Sequence, residues 1–164
     1  MCSVMITDLL NCTEQELQAQ IAYLEGTPVS GIAQRLRTRQ YILKKGSVLT
    51  LTQLGALKTE FGKIGPLVSN ATDGEKKFCV AELLPILRNN PGVDDGLLTK
   101  IDAFVEKDMR GEIEYNVTIL DQGNDLVIKD GNKRTVAFFE RRKGASNDAI
   151  VFPVFVVQRG SHGA

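Results

Sequence analysis

The 164-residue chain predicts an α+β protein: an N-terminal helical subdomain, then a mixed-sheet domain in which a glycine turn opens a helix. Three observations carry this. Residues 14 to 63 repeat their apolar side chains at helical spacing. Residues 115–128 and 149–157 are β-branched, period-two or continuous apolar runs of strand type. Between those runs, Asp130-Gly131 ends one strand pattern and an amphipathic helix pattern starts at once.

The elements follow in order. Thr13 and Glu16 form a capping box, Leu17, Ile21 and Leu24 make an apolar stripe, and Gly26 stops it. Pro28 and Ser30 restart the chain into a helix over Gly31 to Lys45, with Ile32, Leu36 and Ile42 inward and Gly46 as its stop. A third helix is expected from about Thr52 to Lys63, ending near Gly65-Pro66. Residues 1–72 are thus read as the helical subdomain. The polar run Ser69 to Lys77 is the expected boundary.

Phe78 to Pro85 reads as the first strand of the second unit. Asn89-Asn90-Pro91-Gly92 is a turn. Asp94 or Asp95 caps a helix through about Lys107, with Leu97, Leu98, Ile101, Phe104 and Val105 on one face, ended by Gly111. Tyr115 to Leu120 is a strand, Asp121 to Asp125 a hairpin loop, and Leu126 to Lys129 the returning strand. A helix over about 132 to 142 and a loop over Gly144 to Asp148 lead to the strand Ala149 to Val157. Pro153 lacks an N–H and marks an edge or a bulge in it.

Composition narrows the function classes. With 43% hydrophobic and 24% charged residues, the chain has a soluble globular composition. Its net charge is +0, so no global attraction to nucleic acid is implied. No apolar run has the length of a membrane span, and Met1 to Met5 lacks the basic start and long apolar core of a signal peptide. Cys2, Cys12 and Cys79 are scattered and suggest neither a disulfide framework nor a zinc site; a reducing, cytoplasmic setting is expected. A catalytic thiol is unsupported, because the only histidine, His162, lies in the tail.

Charge is nevertheless segregated. Residues 1–27 carry four acids and no base, whereas residues 28–64 carry Arg35, Arg37, Arg39, Lys44, Lys45, Lys58 and Lys63 against Glu60 alone. Arg35 and Arg39 share a face of the expected helix and are candidate DNA contacts. A solvated face, or one that meets the acidic first helix or a partner protein, fits the same pattern.

The chemistry concentrates at Asp130-Gly131-Asn132-Lys133-Arg134-Thr135. A glycine there lets the backbone turn tightly and a ligand approach closely. The first amides of the next helix point outward at its positive end, a ready site for phosphate or carboxylate. Lys133 adds charge, and Arg134 is able to grip an oxyanion with two bonds.

These pieces resemble the ParB/sulfiredoxin superfamily, whose mark is a strand, Gly-x-x-Arg opening a helix with a small residue three places on, and a Val-Pro-Val-like strand. Here they are Ile128, Asp130, Gly131, Arg134, Ala137 and Phe152-Pro153-Val154, within residues 78 to 158. On this resemblance residues 73–160 form a ParB/sulfiredoxin-like domain and 161–164 a tail. The rival Fic/Doc motif shares Asp130 to Thr135, but Leu126, Val127 and Ile128 stand where it has His, Pro and Phe. Fic folds are also all-helical, whereas strand-like runs flank this turn.

The departures from family patterns matter. Asn132 and Lys133 occupy the places of the sulfiredoxin Cys and His, which argues against sulfinic-acid reduction. Relative to ParB, Gly131, Arg134 and Ala137 match, while Asn132 replaces Glu and Val136 replaces the last Arg. The free-serine kinases of the superfamily share Asp130, Gly131 and Arg134 and use a glutamate near the first strand, for which Glu82 is the counterpart. The resemblance implies a nucleotide or other phosphate ligand held by residues 130 to 135, with Mg²⁺ and ATP or CTP as cofactors. ATPase, CTPase or small-molecule kinase activity would follow if Asp130 holds the metal and Glu82 acts as base. The alternative is a non-enzymatic DNA- or protein-binding module that uses the basic helix 30–45.

Overall fold

The computed structural model describes residues 6–61 and 78–160. The fold is α+β: among the described residues, helices flank a mixed sheet of five strands. The strands are β1 (Thr7–Asn11), β2 (Tyr41–Thr50), β3 (Thr118–Asp121), β4 (Leu126–Asp130) and β5 (Ala149–Arg159), ordered β1-β2-β5-β3-β4. The helices are α1 (Glu14–Glu25), α2 (Ser30–Arg37), α3 (Leu51–Ala56), α4 (Val80–Asn89), α5 (Asp95–Met109) and α6 (Asn132–Arg142). β3 pairs parallel with β5; every other pair of neighbours is antiparallel. No helix among the described residues is long and apolar enough to cross a membrane.

β5 is the spine of the sheet, and its alternation separates two cores. Phe152, Val154 and Val156 face the larger core, with Leu51 and Leu54 of α3, Leu83 and Leu84 of α4, Ile101 of α5 and Val136 of α6. Val157 faces the smaller core, with Ile21 and Leu24 of α1, Ile32 and Leu36 of α2, and Leu43 of β2. The edge or bulge expected at Pro153 is corrected: β5 is paired on both sides, with β2 and β3, and Pro153 pairs in register with Ser47. The Phe155 amide donates to Val117 O at 2.9 Å, so the Pro153 nitrogen, two residues earlier, faces the same side. That side lies opposite residues that precede β3, where the ladder has not begun.

The C-terminal expectations hold closely. The hairpin of β3 and β4, the helix from residue 132 to 142 and the Pro153 strand are all present. So is the capping box: Glu16 N donates to Thr13 Oγ1 and Thr13 N to Glu16 Oε1. Asp94 Oδ1 caps α5 by accepting from Leu97 N at 3.0 Å.

Three further expectations are corrected. The helix expected over 31 to 45 stops at Arg37; Arg39 turns the chain at φ +63°, and residues 41–50 form β2. Tyr41 to Leu43 and Val48 to Thr50 favour extended backbone, and the pairing with β5 from Tyr41↔Arg159 to Thr50↔Ala149 fixes it. The helix expected from Thr52 to Lys63 ends at Ala56. Residues 57–59 then leave as extended chain: Lys58 N donates to Leu126 O and Ile128 N to Lys58 O, which covers the outer edge of β4. Phe78 to Pro85 is not a strand. α4 starts at Val80, and Val80, Leu83, Leu84 and Leu87 are buried at helical spacing, which outweighs the amide lost at Pro85.

Residues 1–72 are consequently not helical throughout, since β1 and β2 lie in the same sheet as β3, β4 and β5. The expected boundary run Ser69 to Lys77 and the 161–164 tail lie outside the described residues.

Candidate functional site

The turn is built around Gly131, which sits at φ 92° and ψ 19° as the residue before α6. A Cβ there would lie 2.9 Å from Val117 Cγ2 and 3.2 Å from the Asn116 carbonyl oxygen. Positive φ and close packing both require glycine. No side chain caps α6, so the first amides of that helix keep their outward direction.

The six sequence-predicted residues of the turn divide by what they touch. Thr135 is buried, and both its amide (2.9 Å) and its hydroxyl (2.8 Å) donate to Gly131 O. Asn132 Oδ1 accepts from Glu60 N at 3.1 Å and its Nδ2 donates to Ile128 O at 3.2 Å, so it ties the crossing chain to the turn. These two hold the backbone. Lys133 makes no hydrogen bond or ion pair with the described residues and is the free cation of the motif.

Arg134 is the hub. Its Nη2 donates to Tyr23 Oη at 3.1 Å and to Asp130 Oδ2 at 3.3 Å, and its Nη1 donates to Glu114 O at 3.2 Å. The Asp130 and Arg134 side chains are 16% and 18% exposed, so water screens the pair less than a surface ion pair. Burial raises the Tyr23 hydroxyl above its ordinary value; hydrogen bonding to Asp130 adds to this, and Arg134 opposes it.

Other predicted residues lie elsewhere. Glu82 is exposed in the first turn of α4, where Oε1 accepts from Cys79 N at 3.2 Å. It anchors the start of its own helix and makes no hydrogen bond or ion pair with the turn; it is not on a strand. No group of three or more His, Cys, Asp or Glu side chains converges as a metal site among the described residues. A Mg²⁺ on Asp130 would therefore have one protein carboxylate, and phosphate oxygens and water would complete its shell. Arg35 and Arg39 do not share a helix face, because α2 ends before Arg39. Arg35 Nη1 donates to Tyr41 Oη at 2.7 Å and its guanidinium lies 5.3 Å from that ring, while Arg37 pairs with Glu25.

Sequence reasoning missed Tyr23, Glu114 and Glu60. Tyr23 is 111 residues from Arg134, and nothing local to it signals the contact. α1 brings it there. Along that helix, Glu16 accepts from Lys45 of β2 at 2.7 Å, Gln20 donates to Thr118 of β3 at 2.9 Å, and Tyr23 reaches Arg134. The helix thus crosses the sheet and ends one wall of the site. A cleft of ≈ 340 Å³, lined among others by Lys45, Ser47, Tyr115, Val117, Pro153 and Phe155, includes none of residues 130 to 135.

The far end of α6 is fixed separately. Arg141 Nη1 and Arg142 Nη1 each donate to Asp108 Oδ2 at 2.8 Å, and Tyr115 Oη donates to Asp108 Oδ1 at 2.6 Å. The Arg142 guanidinium stacks 3.6 Å from the Phe138 ring centroid. Burial, with help from Asp108, pushes the Tyr115 hydroxyl far above its ordinary value. This cluster clamps α6 to α5. Comparison with known proteins finds no matching family model, curated protein or solved structure.

Proposed function

We propose that the protein binds a phosphate-bearing ligand at residues 130 to 135. The observation that carries this reading is the placement of Arg134. Its guanidinium is held by three protein groups beside a left-handed Gly131 turn that opens a helix with no side-chain cap. An arginine in the first turn opposes the helix dipole, and an anion bound there reverses that cost. Lys133 adds a charge that is unpaired among the described residues. The resemblance to the ParB/sulfiredoxin superfamily makes a nucleotide, ATP or CTP with Mg²⁺, the ligand of choice. The reading is of binding rather than phosphoryl transfer, because Glu82, the base that transfer would use, is engaged at the start of α4.

Calorimetric titration of ATP, CTP and inorganic phosphate, with Mg²⁺, tests it on wild type and Arg134→Ala. Wild type should bind at least one of them, and Arg134→Ala should lose about 2–3 kcal/mol of affinity, the worth of a hydrogen bond to a charged group. Lys133→Ala should lose less, since a lysine is a flexible point charge. Equal affinities for wild type and Arg134→Ala, or no binding by either, would overturn the proposal.

A further inference from the structure

Arg134 faces an oxyanion of its own chain, the Asp130 carboxylate, at 3.3 Å. The contact is poorly made. Charge-assisted N–H···O bonds settle at about 2.7–2.9 Å, and an arginine paired at full strength engages a carboxylate with two parallel bonds. Here one nitrogen serves both Asp130 Oδ2 and the Tyr23 hydroxyl, the latter at 3.1 Å, and the other serves a carbonyl at 3.2 Å. Asp130 precedes Arg134 by four residues and ends β4, so its carboxylate is tethered to the strand. Tyr23 belongs to another element, is 37% exposed, and its hydroxyl accepts from the same Arg134 nitrogen that meets Asp130.

From this we infer that Asp130 is a built-in competitor seated where the ligand's oxyanion belongs, and that Tyr23, whose hydroxyl accepts from Arg134, is a further ligand-binding residue. The inference rests on the anion-binding reading of the turn and adds its regulation. A free ligand oxyanion is not tethered to β4 and is able to take the forked geometry that Asp130 does not make. Binding therefore exchanges a long internal contact for a well-formed one. Asp130 then sets a threshold: single, weakly charged anions fail to displace it, and ligands with several phosphoryl oxygens succeed. Tyr23 meets that ligand without moving α1, because its hydroxyl already touches Arg134.

The test uses the full chain without Mg²⁺, so that Asp130 acts only as a competing anion, with ATP and inorganic phosphate as probes, on wild type, Asp130→Asn, Tyr23→Phe and the double variant. Asp130→Asn keeps the side-chain size and removes the competing charge. It should bind both probes about tenfold more tightly than wild type, with the larger gain for inorganic phosphate. Tyr23→Phe should weaken ATP binding about tenfold in both backgrounds. Unchanged or weaker binding by Asp130→Asn, with circular dichroism showing a native fold, would overturn the competitor; unchanged binding by Tyr23→Phe would overturn the role of the hydroxyl. A ligand-free measurement separates this from the underlying reading. The Arg134 side-chain N–H signals should exchange with water more slowly in wild type than in Asp130→Asn. Slower exchange together with no binding by any variant removes the anion site and its competitor together; equal exchange with intact binding removes the competitor alone.

Discussion

Gly131 is where sequence and structure agree most closely at the scale of one residue. An Asp-Gly pair between a strand pattern and a helix pattern signals a tight turn, and the backbone there adopts φ 92°. Gly131→Val should destabilise the protein by about 1–3 kcal/mol from backbone strain alone. The clash with Val117 and Asn116 adds to that loss. Urea unfolding checks it, with Gly144→Ala as control, since a Cβ at Gly144 meets nothing within 4 Å. A Gly131→Val midpoint equal to that of the control would show that the turn tolerates a side chain. The chemistry of Arg134 was legible only in part. Its charge and its place at a helix start are in the sequence, whereas its partners are not. Tyr23 and the Glu114 carbonyl reach it through tertiary packing, and a local pattern carries no trace of a contact that distant.

Between elements, α6 shows what burial does to charge. Burial raises Asp108, but Arg141, Tyr115 and Arg142 outweigh it, and the carboxyl ends below its ordinary value. A depressed folded-state value means that Asp108 stabilises the protein above the unfolded carboxyl range and that this is lost as pH falls through the folded value. Unfolding free energy should thus decline below about pH 4, where unfolded aspartates begin to take up protons. Asp108→Asn should flatten that decline and cost stability at neutral pH by about 3 kcal/mol, the low end for breaking a buried pair, since both arginines still reach water. Urea titrations between acid and neutral pH read both effects; an unchanged acid limb in Asp108→Asn would assign it to other carboxyls. The element-level errors have a common cause. Phe78 to Pro85 is a short apolar run, and length and periodicity do not separate a strand from a buried helix until the run is followed through Leu87. Residues 31–45 failed differently: the helical pattern is real as far as Leu36, but the strand that follows has the same density of apolar residues, and only pairing with β5 distinguishes it.

For the whole molecule, the sheet decides whether the chain divides. The expected halves, 1–72 and 73–160, were separated on a polar run, which is a sound signal of a surface segment and a weak one of a domain boundary. Sheet order contradicts a division into independent units, because β2 from the first half lies beside β5, the spine of the second. The smaller core is also shared: Ile21, Leu24, Ile32, Leu36 and Leu43 close over Val157, which is 0% exposed. A fragment of residues 73–164 would present the length of β5 as an unpaired apolar edge and uncover Val157 and Phe155. Such an edge invites association with other chains. Expressed alone, that fragment should aggregate or lack a dispersed amide spectrum, and residues 1–72 alone should show little fixed structure. Mixed after co-refolding, the two should recover the far-ultraviolet dichroism and amide dispersion of the intact chain, because the β2–β5 pairing and the smaller core form between fragments as they do within one chain. A soluble, well-dispersed 73–164 fragment would instead show that β3, β4, β5 and their helices fold without β2. The anion site would then have to bind without Tyr23, which α1 supplies.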